Sequence, residues 1–226
     1  MFDNLTADLQ HYSRFCYNGR PVLRVLVRIL YGHPAALAVI WYRFGSAAWR
    51  MRLPLLRQML QAVYLLGVPF VRMYSGVQIQ PHTTIGPGLA ILHFGGVVIT
   101  RDCTIGANCL LYHNVSIVTM RNQRGATIGN HFYAGTGATI LGTITIADNV
   151  AVGAGAVLTK SVPKDAIVAG VPARILRFRE PGEDLSENRT LPNRPSEWLV
   201  CQTEAFPSEL AQTPGPPDSP SGLSRS

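Results

Sequence analysis

The fold is decided by the stretch from Val77 to Ile117, which reads VQIQPHTTIGPGLAILHFGGVVITRDCTIGANCLLYHNVSI. An aliphatic residue recurs there at every sixth position, usually followed by Gly, Ala or a small polar residue. The period slips by two residues after Val97, breaks at a loop over Thr119–Gly125, and then resumes. The repeated positions are Ile79, Ile85, Ile91, Val97, Ile105, Leu111, Ile117, Ile128, Ala134, Ile140, Ile146, Val152 and Leu158.

A period of six residues fits neither of the regular elements, since a flat strand alternates with period two and a helix repeats every 3.6 residues. It fits a chain that turns a corner every six residues and returns over itself every eighteen. One aliphatic side chain of each short strand then points into a narrow prism. The repeat therefore predicts a β-helix domain over residues 77–176.

The flanking segments have a different character. Residues 1–76 show apolar residues at helical spacing, with Pro34, Pro54 and Pro69 dividing them into three or four predicted helices. Residues 177–226 are rich in Pro, Ser and Glu, a composition typical of a disordered tail. We therefore predict three parts: a helical N-terminal segment, the β-helix, and the tail.

The positive charge is concentrated in the N-terminal segment. Residues 1–76 hold nine Arg and two Asp, and so carry a net charge of +7. Two readings stand: solvated helix faces, or attraction to an anionic membrane surface. Residues 53–71 are apolar but interrupted by Arg and Gln, which favours an interfacial amphipathic helix over a membrane span. No motif for nucleic-acid binding accompanies the basic residues.

The four cysteines, Cys16, Cys103, Cys109 and Cys201, lack the spacing of a metal site or a disulfide framework. Their pattern, together with an N-terminus unlike a secretory signal, predicts a reducing, cytoplasmic location.

Two histidines occupy equivalent places in successive coils. His93 follows Ile91 by two residues, and His113 follows Leu111 by two. We expect the two imidazoles to stack about 4.8 Å apart along the prism and to point outward at one edge. Such a pair could act as a base and its orienting partner, or as ordinary polar edge residues. A zinc site is not expected, because no further His or carboxylate cluster with ligand spacing accompanies them.

The chain resembles the hexapeptide-repeat acyltransferases. Two motifs carry the resemblance: the segment quoted above with its LHFGGVVI and LLYHNVSI runs, and the closing GAGAVLTKSVPKDAIVAGVPARIL of residues 153–176. Within that superfamily it is most similar to the serine acetyltransferase branch and its exopolysaccharide-pathway relatives. The resemblance implies a left-handed parallel β-helix that uses acetyl-CoA, without a tightly bound cofactor, in a trimer whose active sites lie between neighbouring subunits.

The resemblance also implies roles for individual residues. His93 takes the place of the catalytic base, with His113 in support. The CoA arm would contact Thr136 and Ala154, and Lys160 would meet the CoA phosphates. Two further positions, Gln78 and Arg124, fall in the acceptor site.

Departures from the serine enzymes bear on the acceptor. Where those enzymes have acids, this chain has Gln78 and Leu92, and a loop histidine is replaced by Gly125. Burying an ammonium group without a partner is costly. We therefore expect a neutral hydroxyl acceptor, such as a sugar in polysaccharide assembly. Serine O-acetylation is the alternative, and an inactive β-helix scaffold is an alternative of another class.

Overall fold

The computed structural model describes residues 2–17, 20–22, 31–119, 123–180 and 183. Three helices with defined bounds precede the β-helix: α1 (Phe2–Tyr17), α2 (Pro34–Arg50) and α3 (Pro54–Ser75). The helices α2 and α3 each begin with Pro in the first turn, where its missing N–H costs no hydrogen bond. The third predicted breakpoint, Pro69, is wrong because this residue lies inside α3.

A β-helix of about four turns follows these helices. Its strands are β1 (Gln78–Ile79), β2 (Thr84–Ile85), β3 (Ala90–Ile91), β4 (Val98–Ile99), β5 (Thr104–Ile105), β6 (Leu110–Leu111), β7 (Ser116–Val118), β8 (Thr127–Ile128), β9 (Tyr133–Ala134), β10 (Thr139–Leu141), β11 (Thr145–Ile146), β12 (Ala151–Val152), β13 (Val157–Leu158), β14 (Ala166–Ala169) and β15 (Arg174–Phe178). They form three sheets, in the orders β1-β4-β7-β10-β13, β2-β5-β8-β11 and β3-β6-β9-β12-β14-β15. All pairs are parallel except β14 with β15. The predicted prism is confirmed.

The core of the prism is the aliphatic column that the repeat predicts, and every repeated position is buried. The slip, however, lies earlier than expected. Ile79 pairs with Ile99 rather than with Val97, so the two extra residues fall between Ile91 and Ile99. Val97 is also buried, but at the corner that leads into β4. The longer corner therefore follows His93 directly.

A buried ion pair between α1 and α2 also forms hydrogen bonds with the first coil of the β-helix. Arg43 on α2 donates from Nε to Asp8 Oδ2 at 2.8 Å and from an Nη atom to Asp8 Oδ1 at 3.0 Å. The guanidinium also donates to the carbonyl oxygen atoms of Ile85 and Gly86. A buried charge pair with its hydrogen bonds satisfied holds a single geometry, so α1, α2 and the prism form one packed unit.

Ordered structure continues beyond the predicted start of the tail. Arg177 and Phe178 belong to β15, which pairs antiparallel with β14. Arg177 forms an ion pair with Glu183 at 2.6 Å, and the Arg179 side chain is buried. The boundary predicted at residue 177 is thus corrected to a position after this strand, and the rest of the predicted tail lies outside the described residues.

Candidate active site

One edge of the prism carries an ordered column of residues. Ile91 pairs with Leu111, Leu111 with Ala134, and Ala134 with Val152. Two residues beyond these positions come His93, His113, Thr136 and Ala154, one in each successive coil. At the usual strand spacing this column is about 14 Å long, from His93 to Ala154. Four of the predicted site residues therefore share one edge.

His93 occupies the longer corner that the slip creates. Its backbone has φ 69°, a left-handed conformation that non-glycine residues adopt rarely and often at functional sites. The Gly95 N–H donates to the Ser75 carbonyl at 3.1 Å, and the Gly95 carbonyl accepts from the Asn114 N–H at 3.1 Å. Gly96, at φ 68°, lies so close to Asn114 that a Cβ would come within 2.0 Å of its Oδ1 atom. The corner thus presents His93 outward, exposed to solvent.

The two predicted histidines are in contact. Their ring centroids are 5.6 Å apart and the rings are nearly perpendicular, at 87°. Tyr112 packs against His93 with centroids 5.7 Å apart, and Tyr133 packs against Tyr112. The Nδ1 atom of His113 is buried and has no hydrogen-bond partner within the described residues. Buried polar atoms normally find a partner, so His113 is available to a bound molecule or a water.

The structure adds a third histidine that the sequence reasoning missed. His33, immediately before α2, lies beside Tyr12 and Tyr17, with ring centroids 6.0 and 5.9 Å apart. Burial lowers the pKa of His33, and the proximity of His93 lowers that pKa further. Its Nδ1 atom is also buried without a partner among the described residues. No repeat or motif marks His33; only its packing between the helices and the first coil brings it to the site.

Helix α1 holds the strand that leads to His93. The Tyr12 hydroxyl donates to the Ile91 carbonyl at 2.8 Å and accepts from the Ile91 N–H at 2.9 Å. Asp8 accepts from the N–H groups of Gly88 and Leu89, both at 2.8 Å, and His11 Nδ1 contacts the Gly88 carbonyl. β3 lies at the edge of its sheet, with a neighbouring strand on one side only. On the open side, these side chains of α1 form hydrogen bonds with the backbone N–H and carbonyl groups that have no partner strand.

The other predicted site residues lie elsewhere in a single chain. Lys160 follows β13 and Arg124 precedes β8, so both lie at the next edge of the prism, and both are exposed. The Arg124 carbonyl accepts from the Thr143 hydroxyl at 2.7 Å. Gln78 is half-buried on the outward side of β1. In a single chain, Lys160 and Arg124 therefore lie apart from the histidine column, whereas Gln78 pairs with Val98, just after the corner that carries His93.

At two of the positions that differ from the serine acetyltransferase pattern, Leu92 and Gly125, the local packing explains the residue present. The Leu92 side chain is buried in an apolar cluster with Tyr12, Ala36 and Leu110. A Cβ on Gly125 would come within 2.5 Å of backbone atoms of Asp102, so a histidine is excluded there in this backbone. Leu92 is thus a packing residue, and the backbone at position 125 accepts only glycine.

The sequence on either side of His93 is free of carboxylates. The nearest carboxylates along the sequence are Asp8, which is paired with Arg43, and Asp102. In the described part of the chain, no three His, Cys, Asp or Glu side chains lie close enough to hold a metal ion. An exposed imidazole that contacts a second imidazole can accept a proton from a hydroxyl group. Below His113, the two remaining positions of the column, Thr136 and Ala154, carry small side chains.

The hexad repeat, the parallel β-helix and its match to the left-handed coil of serine acetyltransferases together identify the class as the hexapeptide-repeat acyltransferases. Sequence comparison then assigns the family. A serine acetyltransferase of Synechococcus elongatus is 30% identical over 223 residues, covering 96% of this chain and 87% of the relative. One from Mycobacterium tuberculosis is 29% identical over 183 residues, covering 80% and 73%. The chain belongs to the serine acetyltransferase family and is an acyltransferase that uses acetyl-CoA.

Solved structures agree with this assignment. Soybean serine acetyltransferase complexed with serine superimposes with a TM-score of 0.65 at 27% identity, covering 76% of this chain and 68% of that one. A serine acetyltransferase complexed with CoA gives a TM-score of 0.65 at 24% identity, covering 77% and 68%, and supports the fold. No protein-family profile matches the chain.

Proposed function

We propose that this enzyme transfers the acetyl group of acetyl-CoA to the hydroxyl of L-serine, with His93 as the general base. The relatives named serine acetyltransferase, similar over most of the chain, support this acceptor better than the sugar that the sequence pattern favours. The observation that carries the proposal is the exposed His93 at one end of the column that continues through His113, Thr136 and Ala154. The inactive-scaffold alternative has no support from these relationships.

The chemistry requires one base and one thioester. His93 takes the proton from the acceptor hydroxyl while that oxygen attacks the thioester carbonyl carbon. The resulting tetrahedral centre collapses, the C–S bond breaks, and the CoA thiolate takes up a proton. A positioned general base of this kind contributes about 10²–10⁴-fold to the rate. His113, whose Nδ1 atom has no hydrogen-bond partner among the described residues, is placed to orient His93 or the acceptor.

We propose that the pantetheine arm lies along the column. Thr136 and Ala154 are small, and a Cβ added at Gly155 would meet nothing within 4 Å. Lys160 and Arg124 are assigned to the CoA phosphates and to the acceptor carboxylate. Because they lie at a different edge from His93, they reach the site only if a neighbouring chain supplies them. A homotrimer with sites between subunits satisfies this requirement.

A neutral hydroxyl, such as that of a sugar in polysaccharide assembly, is the second candidate acceptor. Specific observations favour it: Leu92 is buried in an apolar cluster, Gln78 is uncharged, and no Asp or Glu occurs between Asp8 and Asp102. An ammonium group would therefore lack a partner from this part of the chain. Such a charged hydrogen bond is worth about 1.5–3 kcal/mol, or roughly ten- to more than a hundredfold in affinity.

Initial rates of CoA release distinguish the two acceptors. We expect saturable turnover of L-serine with O-acetylserine as product, and a KM lowered by Gln78→Asp, which restores an acid at the acceptor site. A Gln78→Asn variant controls for the change of side-chain length. Turnover of nucleotide sugars or oligosaccharides without saturable use of serine would instead establish the second candidate. Failure with both acceptor classes would refute O-acetylation at this site.

We also propose a cytoplasmic location. Cys16, Cys103 and Cys109 are free thiols in the structure. Burial raises the pKa of Cys109 to about 12 and that of Cys16 to about 11, so both are held as unreactive thiols. Free buried cysteines of this kind suit a reducing compartment.

A further inference from the structure

Helix α3 exposes a continuous apolar surface, which we name the outer face. Among its side chains Leu66 is 74% exposed, Phe70 69% and Met73 77%. The outer face consists of Leu55, Met59, Val63, Leu66, Phe70 and Met73. Their spacing places these residues on one side of the helix. Single exposed apolar residues are common on protein surfaces, but a contiguous stripe of this length marks an interaction surface.

The opposite side of α3 is occupied. Tyr64 and Val71 are buried there, and the Tyr64 ring stacks on Trp41 of α2 with centroids 6.0 Å apart. Trp41 Nε1 donates to the Tyr64 carbonyl at 3.3 Å, and Gly67 lies against the Trp41 ring. The outer face therefore projects away from α2 and is presented by a helix whose orientation is already set.

Positive charge lies near the two ends of α3 and not on the outer face itself: Arg72, for example, lies on the side of the helix that faces Trp41. Arg50 and Arg52 precede α3, Arg57 lies in its first turn and Arg72 in its last, and all four are exposed. Among the described residues, none of these four arginines forms an ion pair. Each Arg near an anionic bilayer contributes about 1 kcal/mol, roughly a fivefold gain in affinity.

We propose that the outer face of α3 docks the enzyme on an anionic lipid bilayer. The apolar side chains enter the boundary between headgroups and acyl chains, and the arginines contact lipid phosphates. A second copy of this chain is a poorer occupant, because the N-terminal segment of each copy carries a net charge of +7. Like charges in contact oppose association.

The bound helix lies in the plane of the membrane. At 22 residues α3 is long enough to cross a bilayer by length and composition. Crossing would, however, separate it from α2 or carry α2 and the buried Asp8–Arg43 pair into the hydrocarbon. Polar residues at Gln58, Gln61 and Arg72 would also enter it. Burying only the outer face avoids both costs.

Vesicle flotation of the full chain tests the proposal directly. We expect binding to vesicles of phosphatidylcholine mixed with phosphatidylglycerol, much weaker binding to phosphatidylcholine alone, and release as ionic strength rises, since salt screens surface charges. Negligible binding to both vesicle types would overturn the proposal. Equal binding to both would overturn the role of the arginines.

Variants locate the surface. Leu66→Glu with Phe70→Glu should weaken vesicle binding at least about tenfold, because charged side chains resist entry into the interface. Leu176→Glu with Phe178→Glu makes the same change at exposed apolar residues of β15 and should leave binding within about twofold. Arg50→Gln with Arg52→Gln should weaken binding by about 25-fold.

Light scattering supplies the alternative outcome. If wild type fails to bind vesicles and the Leu66→Glu, Phe70→Glu variant dissociates to smaller species, then the outer face is a protein interface and the proposal is refuted. Far-UV circular dichroism of each variant establishes folding. Because the altered residues are exposed, their replacement leaves the contacts of α3 with α2 in place.

Discussion

Replacing Tyr12 by Phe tests how α1 supports the site. The substitution keeps the buried ring and removes the hydroxyl that bonds both the N–H and the carbonyl of Ile91. Because β3 is the first strand of its sheet, no neighbouring strand can take over these bonds. Both backbone groups of Ile91 would remain buried and unsatisfied.

The magnitude follows from those two groups. A buried donor or acceptor left without a partner costs about 1–3 kcal/mol, so the loss of partners for two such groups in Tyr12→Phe should lower the free energy of unfolding by about 2–6 kcal/mol. That is a large share of the roughly 5–15 kcal/mol that stabilises a typical domain. Tyr64→Phe is the matched control. Its ring is also buried, and in the described part of the chain no hydrogen bond joins its hydroxyl to a backbone group.

Urea unfolding followed by circular dichroism measures the global effect. Hydrogen exchange of a peptide containing Ile91 measures the local one, and its N–H should exchange faster in Tyr12→Phe than in Tyr64→Phe. Because Ile91 is two residues from His93, kcat should fall as well. If Tyr12→Phe is no less stable than Tyr64→Phe, and Ile91 stays equally protected, then the hydroxyl does not secure this strand.

Three further outcomes are expected. His93→Ala should lower kcat at least about 10²-fold in a folded protein that still binds CoA, and near-normal turnover would exclude it as the base. Burial and the proximity of His93 lower the pKa of His33 in the folded protein, so the His33 side chain binds a proton more readily when the chain is unfolded. The contribution of neutral His33 to stability is therefore present above about pH 6.5 and is lost as the pH falls below that value. His33→Gln should therefore flatten the dependence of the urea midpoint on pH below about 6.5, and an unchanged slope would contradict the shift. Arg43→Met should cost about 3–5 kcal/mol because it leaves Asp8 buried and charged, whereas the double replacement Asp8→Leu, Arg43→Met should cost less than the sum of its parts; additive effects in urea unfolding would show that the pair is uncoupled.

The repeat predicted the β-helix and its inward residues because every coil must fill the same narrow interior. A position that must fill the prism accepts only small or aliphatic side chains, and this requirement returns at a fixed interval. The contact between His93 and His113 followed from the same arithmetic, since the slip falls within the coil that separates them. The place of the slip could not be read, because Val97 and Ile99 are both buried and both fit the pattern.

The resemblance supplied the roles of the site residues but not their geometry. It placed Lys160 and Arg124 with His93, whereas in one chain they lie at another edge of the prism. An active site assembled between subunits would reconcile the implied roles of Lys160 and Arg124 with their distance from His93 in one chain. The sequence showed that positions 78 and 92 carry Gln and Leu. It did not show that the Leu92 side chain packs with Tyr12 beneath α1.

The sequence by itself determined the period, the inward column and the basic N-terminal segment, since each is a property of neighbouring residues. The tertiary structure alone decided that His33 lies beside the site, that Tyr12 completes the hydrogen bonds of Ile91, and that α3 turns its apolar outer face away from α2. These features join segments far apart in the chain; Tyr12 and Ile91 are separated by 79 residues. Local patterns report how each backbone segment folds, but packing between segments selects which side chains meet, and no repeat records that choice.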